Sequence, residues 1–323
     1  MILAGDIGAT KVLLEAGALQ RGRWRTAFGK RYASADHADF GNVLQAFLAE
    51  LAAPRRAPLK ITRACFGVAG PVVGNRVQMT NLPWLVDGDA IAARFGIARV
   101  RVVNDFAAAA AGIELLQPAD LVTLQPGEPV PGAARVVIGA GTGLGVAYMI
   151  RAAGGWRVIA GEAGHAGFAP AAPEQVDLWR DLYSREGRVA AEDVVSGPGL
   201  VHIYDFLRRR ESGPPLPAGD AAAAISHAAL ELGDPLCSRA LDLFVSCFGA
   251  VAGDHALAVM ARGGVYLTGG IAPKILPRLA SGGFCAAFNA KGVHSGAVRK
   301  IPVIAVTDEK LGLLGAALIA GAR

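Results

Sequence analysis

Asp6 and Thr10 stand at the end of a short apolar run, Met1-Ile-Leu-Ala-Gly5-Asp6-Ile-Gly8-Ala9-Thr10-Lys11. Apolar residues resume at once with Val12-Leu13-Leu14, so the unit reads as a β-hairpin with a polar tip. Glycine lets such a tip bend tightly and approach a ligand closely. Its main-chain N–H groups form an anion-binding concavity, to which Thr10 adds a hydroxyl donor. A carboxylate does not suit a bare phosphate, but Asp6 suits a phosphate carrying Mg²⁺, reached through a water. The competing reading is an ordinary N-terminal hairpin with Asp6 and Thr10 as turn residues. The pattern returns at Ala134–Met149, where an apolar strand runs into Gly139-Ala140-Gly141-Thr142-Gly143-Leu144-Gly145 and out again. Here Gly139-Ala140 stands where the first copy has Gly5-Asp6, so only one copy carries the acid. Two such tips facing each other would clasp a nucleoside triphosphate between two related domains. A third glycine turn, Leu267-Thr268-Gly269-Gly270-Ile271, follows the strand-like Gly264-Val265-Tyr266. It is expected to open a helix over Ala272–Leu279 and to bring that helix's N-terminus near the nucleotide.

Three further groups could act on a substrate. Asn104-Asp105 follows the strand Val100–Val103 and precedes an Ala-rich helix over Phe106–Leu116. Asp or Asn there is a good N-cap. A carboxylate at the C-terminal end of a strand is also where open α/β sheets place ligand chemistry. Phosphoryl transfer to an alcohol needs a group to accept the hydroxyl proton, and Asp105 can do so while Asn104 holds a hydroxyl. Glu162 and His165 lie three residues apart in the Gly-rich Gly161-Glu162-Ala163-Gly164-His165, and Glu192 could reach the same pocket. They read as a metal pair, a structural Glu–His pair, or a polyol site, since carboxylate and imidazole together accept and donate hydroxyl hydrogen bonds. Finally, Met79-Thr80-Asn81-Leu82-Pro83-Trp84 could wall a polar pocket or simply be a packed loop.

The elements needed to hold these groups follow from length and pattern. A chain of 323 residues suits two domains. The expected division is a small α/β domain over 1–110, joined by a C-terminal helix at 307–323, and a large α/β domain over 111–306. The net charge of +5 is thinly spread, and the run Arg208-Arg209-Arg210 is broken by Glu211, which gives no support to a nucleic-acid partner. The four cysteines are scattered without a C-x-x-C, which suggests a reducing compartment. The longest uncharged run, Val136–Ile150, is too short to span a membrane. A soluble, cytoplasmic protein is expected.

The three-part glycine pattern resembles the superfamily of sugar kinases, heat-shock-70 proteins and actin. More closely, nearly the whole chain resembles the bacterial glucokinases of the hexokinase superfamily, the non-ROK type of proteobacteria and cyanobacteria. The resemblance rests on Asp6–Thr10, Gly70-Pro71, Met79-Thr80-Asn81, Val103–Phe106, Gly139–Gly145, Gly161–His165, Val195–Leu200 and Gly269–Ile271. It implies two actin-like (ribonuclease H-like) α/β domains flanking a nucleotide and sugar cleft, and phosphorylation of D-glucose at its 6-hydroxyl by ATP. It implies that Asp105 is the base and that Asn81, Asn104, Glu162, His165 and Glu192 bind sugar hydroxyls. ATP and Mg²⁺ fall to Asp6, Gly8, Ala9, Thr10 and Lys11, to Gly139, Ala140, Gly141, Thr142 and Gly143, and to Gly269 and Gly270. A homodimer is the usual assembly. Ala9 and Ala163 depart from family glycines, and a positive φ at either would strain alanine. The absence of a Cys-rich zinc motif after His165 separates the chain from the ROK branch. Rival readings are a kinase for another hexose, a sugar-sensing regulator of the same fold, and an actin-like assembly protein.

Overall fold

Each copy of the glycine-tipped hairpin supplies two strands of a mixed sheet. The structure, a computed structural model, describes residues 1–53, 60–79, 82–153, 155–215 and 219–322. Its contacts divide the chain into two compact units, Met1–Pro118 with Asp308–Arg323, and Ala119–Thr307.

The first unit opens with β1 (Ile2–Ile7), β2 (Lys11–Gln20) and β3 (Arg23–Ala33), an antiparallel meander. Helix α1 (Phe40–Ala52) follows, capped by the Asp39 carboxylate, with Phe40, Val43, Leu44, Phe47 and Leu51 buried on one face. Next come β4 (Arg63–Val68), the short pair β5 (Arg76–Gln78) and β6 (Leu85–Asp87), α2 (Gly88–Phe95), β7 (Arg99–Asn104) and α3 (Asp105–Gly112). The sheet order is β3-β2-β1-β4-β7, with β1, β4 and β7 parallel. Trp84 is 2% exposed within this unit's apolar core, so its indole does not wall a polar pocket. Thr80 and Asn81 lie outside the described residues.

The second unit repeats the plan with β8 (Leu121–Gln125), β9 (Arg135–Ala140), β10 (Leu144–Ala152) and β11 (Gly155–Gly161). Helices α4 (Pro173–Glu186), α5 (Gly197–Glu211), α6 (Ala221–His227) and α7 (Pro235–Ala258) follow, then β12 (Val265–Thr268), α8 (Leu276–Leu279), α9 (Gly283–Asn289), α10 (Ser295–Val298) and β13 (Val303–Val306). Its sheet order is β11-β10-β9-β12-β13-β8, again an antiparallel hairpin running into parallel strands. Helix α6 passes into a π-helical turn over Ala228–Leu232 in place of a single helix to Leu232. Helix α7 is long and apolar enough to cross a membrane, yet 78% of its apolar window is buried in this unit's core. The run Arg208–Arg210 is paired, with Arg209 forking onto Asp181, Arg210 on Asp177 and Arg208 on Asp205.

The chain then returns to the first unit as α11 (Leu311–Gly321), which packs on β1, β4 and α3. Lys310, just before it, donates to the buried Glu15 carboxylate at 2.8 Å.

Candidate active site

In the first unit the parallel strands bring the acids to one edge. Asp6 pairs in register with Gly67, and Gly67 with Val103; Ile7, Val68 and Asn104 form the next rung. Asp6 and Asp105 therefore leave the C-terminal edge two strand spacings apart, about 10 Å. This is the edge at which open α/β sheets hold their ligands. Gly67 matters for this geometry: a Cβ there would come 3.0 Å from the Ala108 Cβ and push α3 off the sheet. Asn104 is the cap of α3. Its Oδ1 accepts from Phe106 N at 3.0 Å and Ala107 N at 3.1 Å, and its Nδ2 donates to the Gly70 carbonyl at 3.3 Å. Asp105 is then the first helical residue, with Oδ1 also accepting from Phe106 N at 2.8 Å.

Asp6 is half-buried, its backbone paired in the sheet, and its carboxylate accepts no hydrogen bond among the described residues. Burial pushes its carboxyl above the ordinary carboxylate range, and the Lys11 charge pulls it part of the way back. A hard carboxylate that accepts no hydrogen bond and has glycine beside it fits a divalent cation whose other ligands are phosphates and waters. That neighbour is Gly312, where a Cβ would come 3.3 Å from Asp6 Cγ. The tip itself is a two-residue loop, Ala9-Thr10, closed by Gly8 N–H donating to Lys11 O at 2.9 Å. Ala9 and Ala163 are absent from the residues with positive φ, so neither alanine is strained. Ser34, 1% exposed, clamps the tip: its Oγ donates to Gly8 O at 3.0 Å and its N to Thr10 O at 3.1 Å. A lone serine after a strand carries no spacing signal, and sequence reasoning passed it by.

In the second unit the tip is one residue shorter: Ala140 pairs with Leu144 and leaves Gly141-Thr142-Gly143 between them, whereas the first tip has four residues between the paired Ile7 and Val12. Gly141 N donates to Gly143 O at 2.8 Å, and Gly197 N donates to Gly141 O at 2.7 Å. Gly139 and Ala140 are buried in β9 and support the tip from behind. Gly269 has φ +84° and its α-carbon lies so close to the Ala140 carbonyl that no side chain fits. Ile271 N then donates to Ala140 O at 3.2 Å. Tip and turn together border a pocket of about 690 Å³, lined by Gly141, Thr142, Gly270 and Lys274 and by α6 and its π-turn. That volume is in the small-molecule range of about 300–1,000 Å³. No long helix opens at Gly270, contrary to expectation. Residues 269–275 form turns, and α8 begins only at Leu276. Pro277 is the physical reason, because it has no N–H to return to the carbonyl of residue 273.

Glu162 and His165 bracket a 3₁₀ turn over Ala163–His165, and Glu192 sits in another over Ala191–Asp193. Ala191 N donates to Ala166 O at 2.8 Å and lashes the two turns together. Arg188 Nη2 donates to His165 O at 2.7 Å. His165 Nε2 and Glu192 Oε1 are 4.0 Å apart, too far for a direct hydrogen bond, yet one hydroxyl oxygen can sit about 2.8 Å from both. Glu162 and His165 are exposed. The other Glu192 oxygen, Oε2, accepts Leu144 N–H at 2.6 Å. Lys291 Nζ is tied to Asp254 at 2.6 Å and to Ala250 O at 2.8 Å. The Cys65 and Cys237 thiols are pushed up to about 12 by burial, which leaves them inert as nucleophiles.

The family model "Glucokinase" matches residues 3–323. The glucokinase of Synechocystis sp. is 40% identical over an alignment of 344 positions, covering 98% of this chain and 97% of the relative. Among solved structures, the glucokinase from an Antarctic psychrotroph superposes with a TM-score of 0.86 at 30% identity, covering 99% of this chain and 98% of that one. The ROK family glucokinase from Streptomyces griseus, solved with glucose and AMPPNP, shares the fold with a TM-score of 0.66 at 22% identity, over 99% of this chain and 98% of that one.

Proposed function

This chain belongs to the glucokinase family, and we propose that Asp105 is the base with which it phosphorylates glucose. The enzyme transfers a phosphoryl group from ATP to glucose. We infer that the acceptor is the 6-hydroxyl, giving glucose 6-phosphate and ADP. The observation that carries it is a hydroxyl-binding pair, His165 and Glu192, adjoining a phosphate tip through Leu144.

Glu162, His165 and Glu192 take sugar hydroxyls, and Asn104 contributes through the second hydrogen of its amide. Asp105, fixed at the start of α3, accepts the proton of the attacking hydroxyl. Main-chain N–H groups of both tips, with Thr10 and Thr142, hold the phosphates and stabilise charge on the transferring group. Gly270 and the pocket beside it take the nucleoside. Asp6 would hold Mg²⁺ through a water, and that ion would supply charge neutralisation on the phosphates. A homodimer in the cytoplasm is part of the same proposal.

The test is ADP release from MgATP across a panel of hexoses. Turnover strongest with glucose supports the reading. Turnover with another hexose alone replaces the substrate, and ATP binding with no sugar-dependent turnover overturns the kinase assignment for this chain.

A further inference from the structure

The carboxylate of Glu192 is shared between two jobs. Oε2 accepts Leu144 N–H at 2.6 Å, and Leu144 is the residue at which the phosphate tip re-enters the sheet. Oε1 faces His165 Nε2 at 4.0 Å. Gly143, the last residue of the tip, lies beneath the same carboxylate: a Cβ there would come 2.5 Å from Oε2. Gly143 is absent from the glycines with positive φ. Its backbone therefore does not demand glycine, whereas the room for Glu192 does.

We propose that Glu192 is a positioning residue for the phosphate tip as well as a sugar ligand, so that hexose and nucleotide sense each other through one side chain. The inference rests on the assignment of the tip to phosphate and of Glu192 to sugar. A carboxylate that accepts a short N–H bond makes a charge-assisted contact, roughly twice as strong as a neutral one. It fixes the direction in which the tip leaves the sheet, and with it the aim of the Gly141–Gly143 amides. A sugar hydroxyl donating to Oε1 draws on the same charge and holds the same side chain. Coupling of this kind is reciprocal, so sugar changes nucleotide affinity by the factor with which nucleotide changes sugar affinity.

The experiment is calorimetric titration with ADP in the absence of sugar, comparing the wild type with Glu192→Ala and Glu192→Gln. Losing a hydrogen bond to a charged acceptor corresponds to about tenfold in affinity. Glu192→Ala is expected to bind ADP about tenfold more weakly. Glu192→Gln is expected to stay within about threefold, because its amide oxygen still accepts from Leu144. As a second variant, Gly143→Ala is expected to raise the KM for glucose at least about fivefold, because the flexible Glu192 side chain is the group that must move. It keeps the inference open to refutation if Glu192→Ala fails to fold. Sugar-free ADP affinity unchanged in Glu192→Ala overturns the inference, as does an unchanged glucose KM in Gly143→Ala. A wild-type chain that binds no ADP overturns the nucleotide assignment itself, a distinct failure.

Discussion

Helix α11 crosses α3 where both have glycine, and replacing Gly315 with alanine should unseat the first unit's acids. A Cβ at Gly315 would fall against the Ala108 carbonyl, 2.5 Å from its carbon, and 2.8 Å from Gly112 N. Gly112 is pressed in the same way against the Leu311 carbonyl. The opposing atoms are backbone, so no rotamer change relieves the overlap and the helices must separate. Overpacking costs about 1–3 kcal/mol, and a backbone collision belongs at the upper end. Alanine regains about 1 kcal/mol of helix propensity over glycine. The net loss is about 2 kcal/mol, or roughly 4–8 °C in Tm at about 2–4 °C per kcal/mol. The shift also reaches the chemistry, since α3 begins at Asp105 and the start of α11 lies beside Asp6. A displacement of about 1 Å can lower kcat about 100-fold. Gly296→Ala is the control: its α-carbon faces open space and it is absent from the positive-φ glycines, so stability should stay within about 0.5 kcal/mol of wild type. Thermal unfolding by circular dichroism and steady-state kcat read both effects. Gly315→Ala that melts and turns over like wild type, or Gly296→Ala that loses as much, refutes the reasoning.

Substitutions at two other positions probe the supports of the same unit. Glu15 is 2% exposed and accepts from Lys310 Nζ at 2.8 Å, Thr26 Oγ1 at 2.5 Å and Trp24 Nε1 at 2.7 Å. Burial alone would raise its carboxyl, but these donors outweigh it and hold the group below the usual range. A depressed carboxyl contributes stability that is complete above its unfolded pKa, near about 4.3, and is lost as pH falls through the lower folded value. Glu15→Gln should therefore lose about 1–2 kcal/mol in urea unfolding at pH 7, with the gap to wild type closing in acid; a gap independent of pH contradicts the pairing. Asn104→Ala should lose about 1 kcal/mol of stability while Asn104→Ser, which still caps, loses about half or less. Equal losses in thermal melts would deny Asn104 the capping role.

What the sequence disclosed depended on whether a feature is local. The hairpin tips were legible because an apolar run, a glycine and a hydroxyl are consecutive, and α1 because Phe40, Val43, Leu44, Phe47 and Leu51 repeat at helical spacing. The α9 helix carried the same kind of signal in Phe284 and Phe288, four apart and both buried, although it was passed over. Trp84 was ambiguous because local sequence does not say whether an indole beside a proline turns toward a ligand or the core. Pro277 within the expected helix after Ile271 was a local warning, and the turns at 271–275 follow from it. Long-range partners left no trace. Ser34 under the first tip, Gly312 beside Asp6, and the Leu144 N–H held by Glu192 join residues 26, 306 and 48 positions apart. Only the folded sheet brings them together.

Removing the carboxylate of Asp105 while keeping its shape tests the assignment of the base most directly. Glucose affinity and single-turnover phosphoryl transfer would be measured for Asp105→Asn beside wild type. General-base assistance contributes roughly 100- to 10,000-fold, so the phosphoryl-transfer rate should fall by at least about 100-fold while glucose affinity stays within a few-fold. A variant that transfers the phosphoryl group at a near-normal rate would show that another group takes the proton.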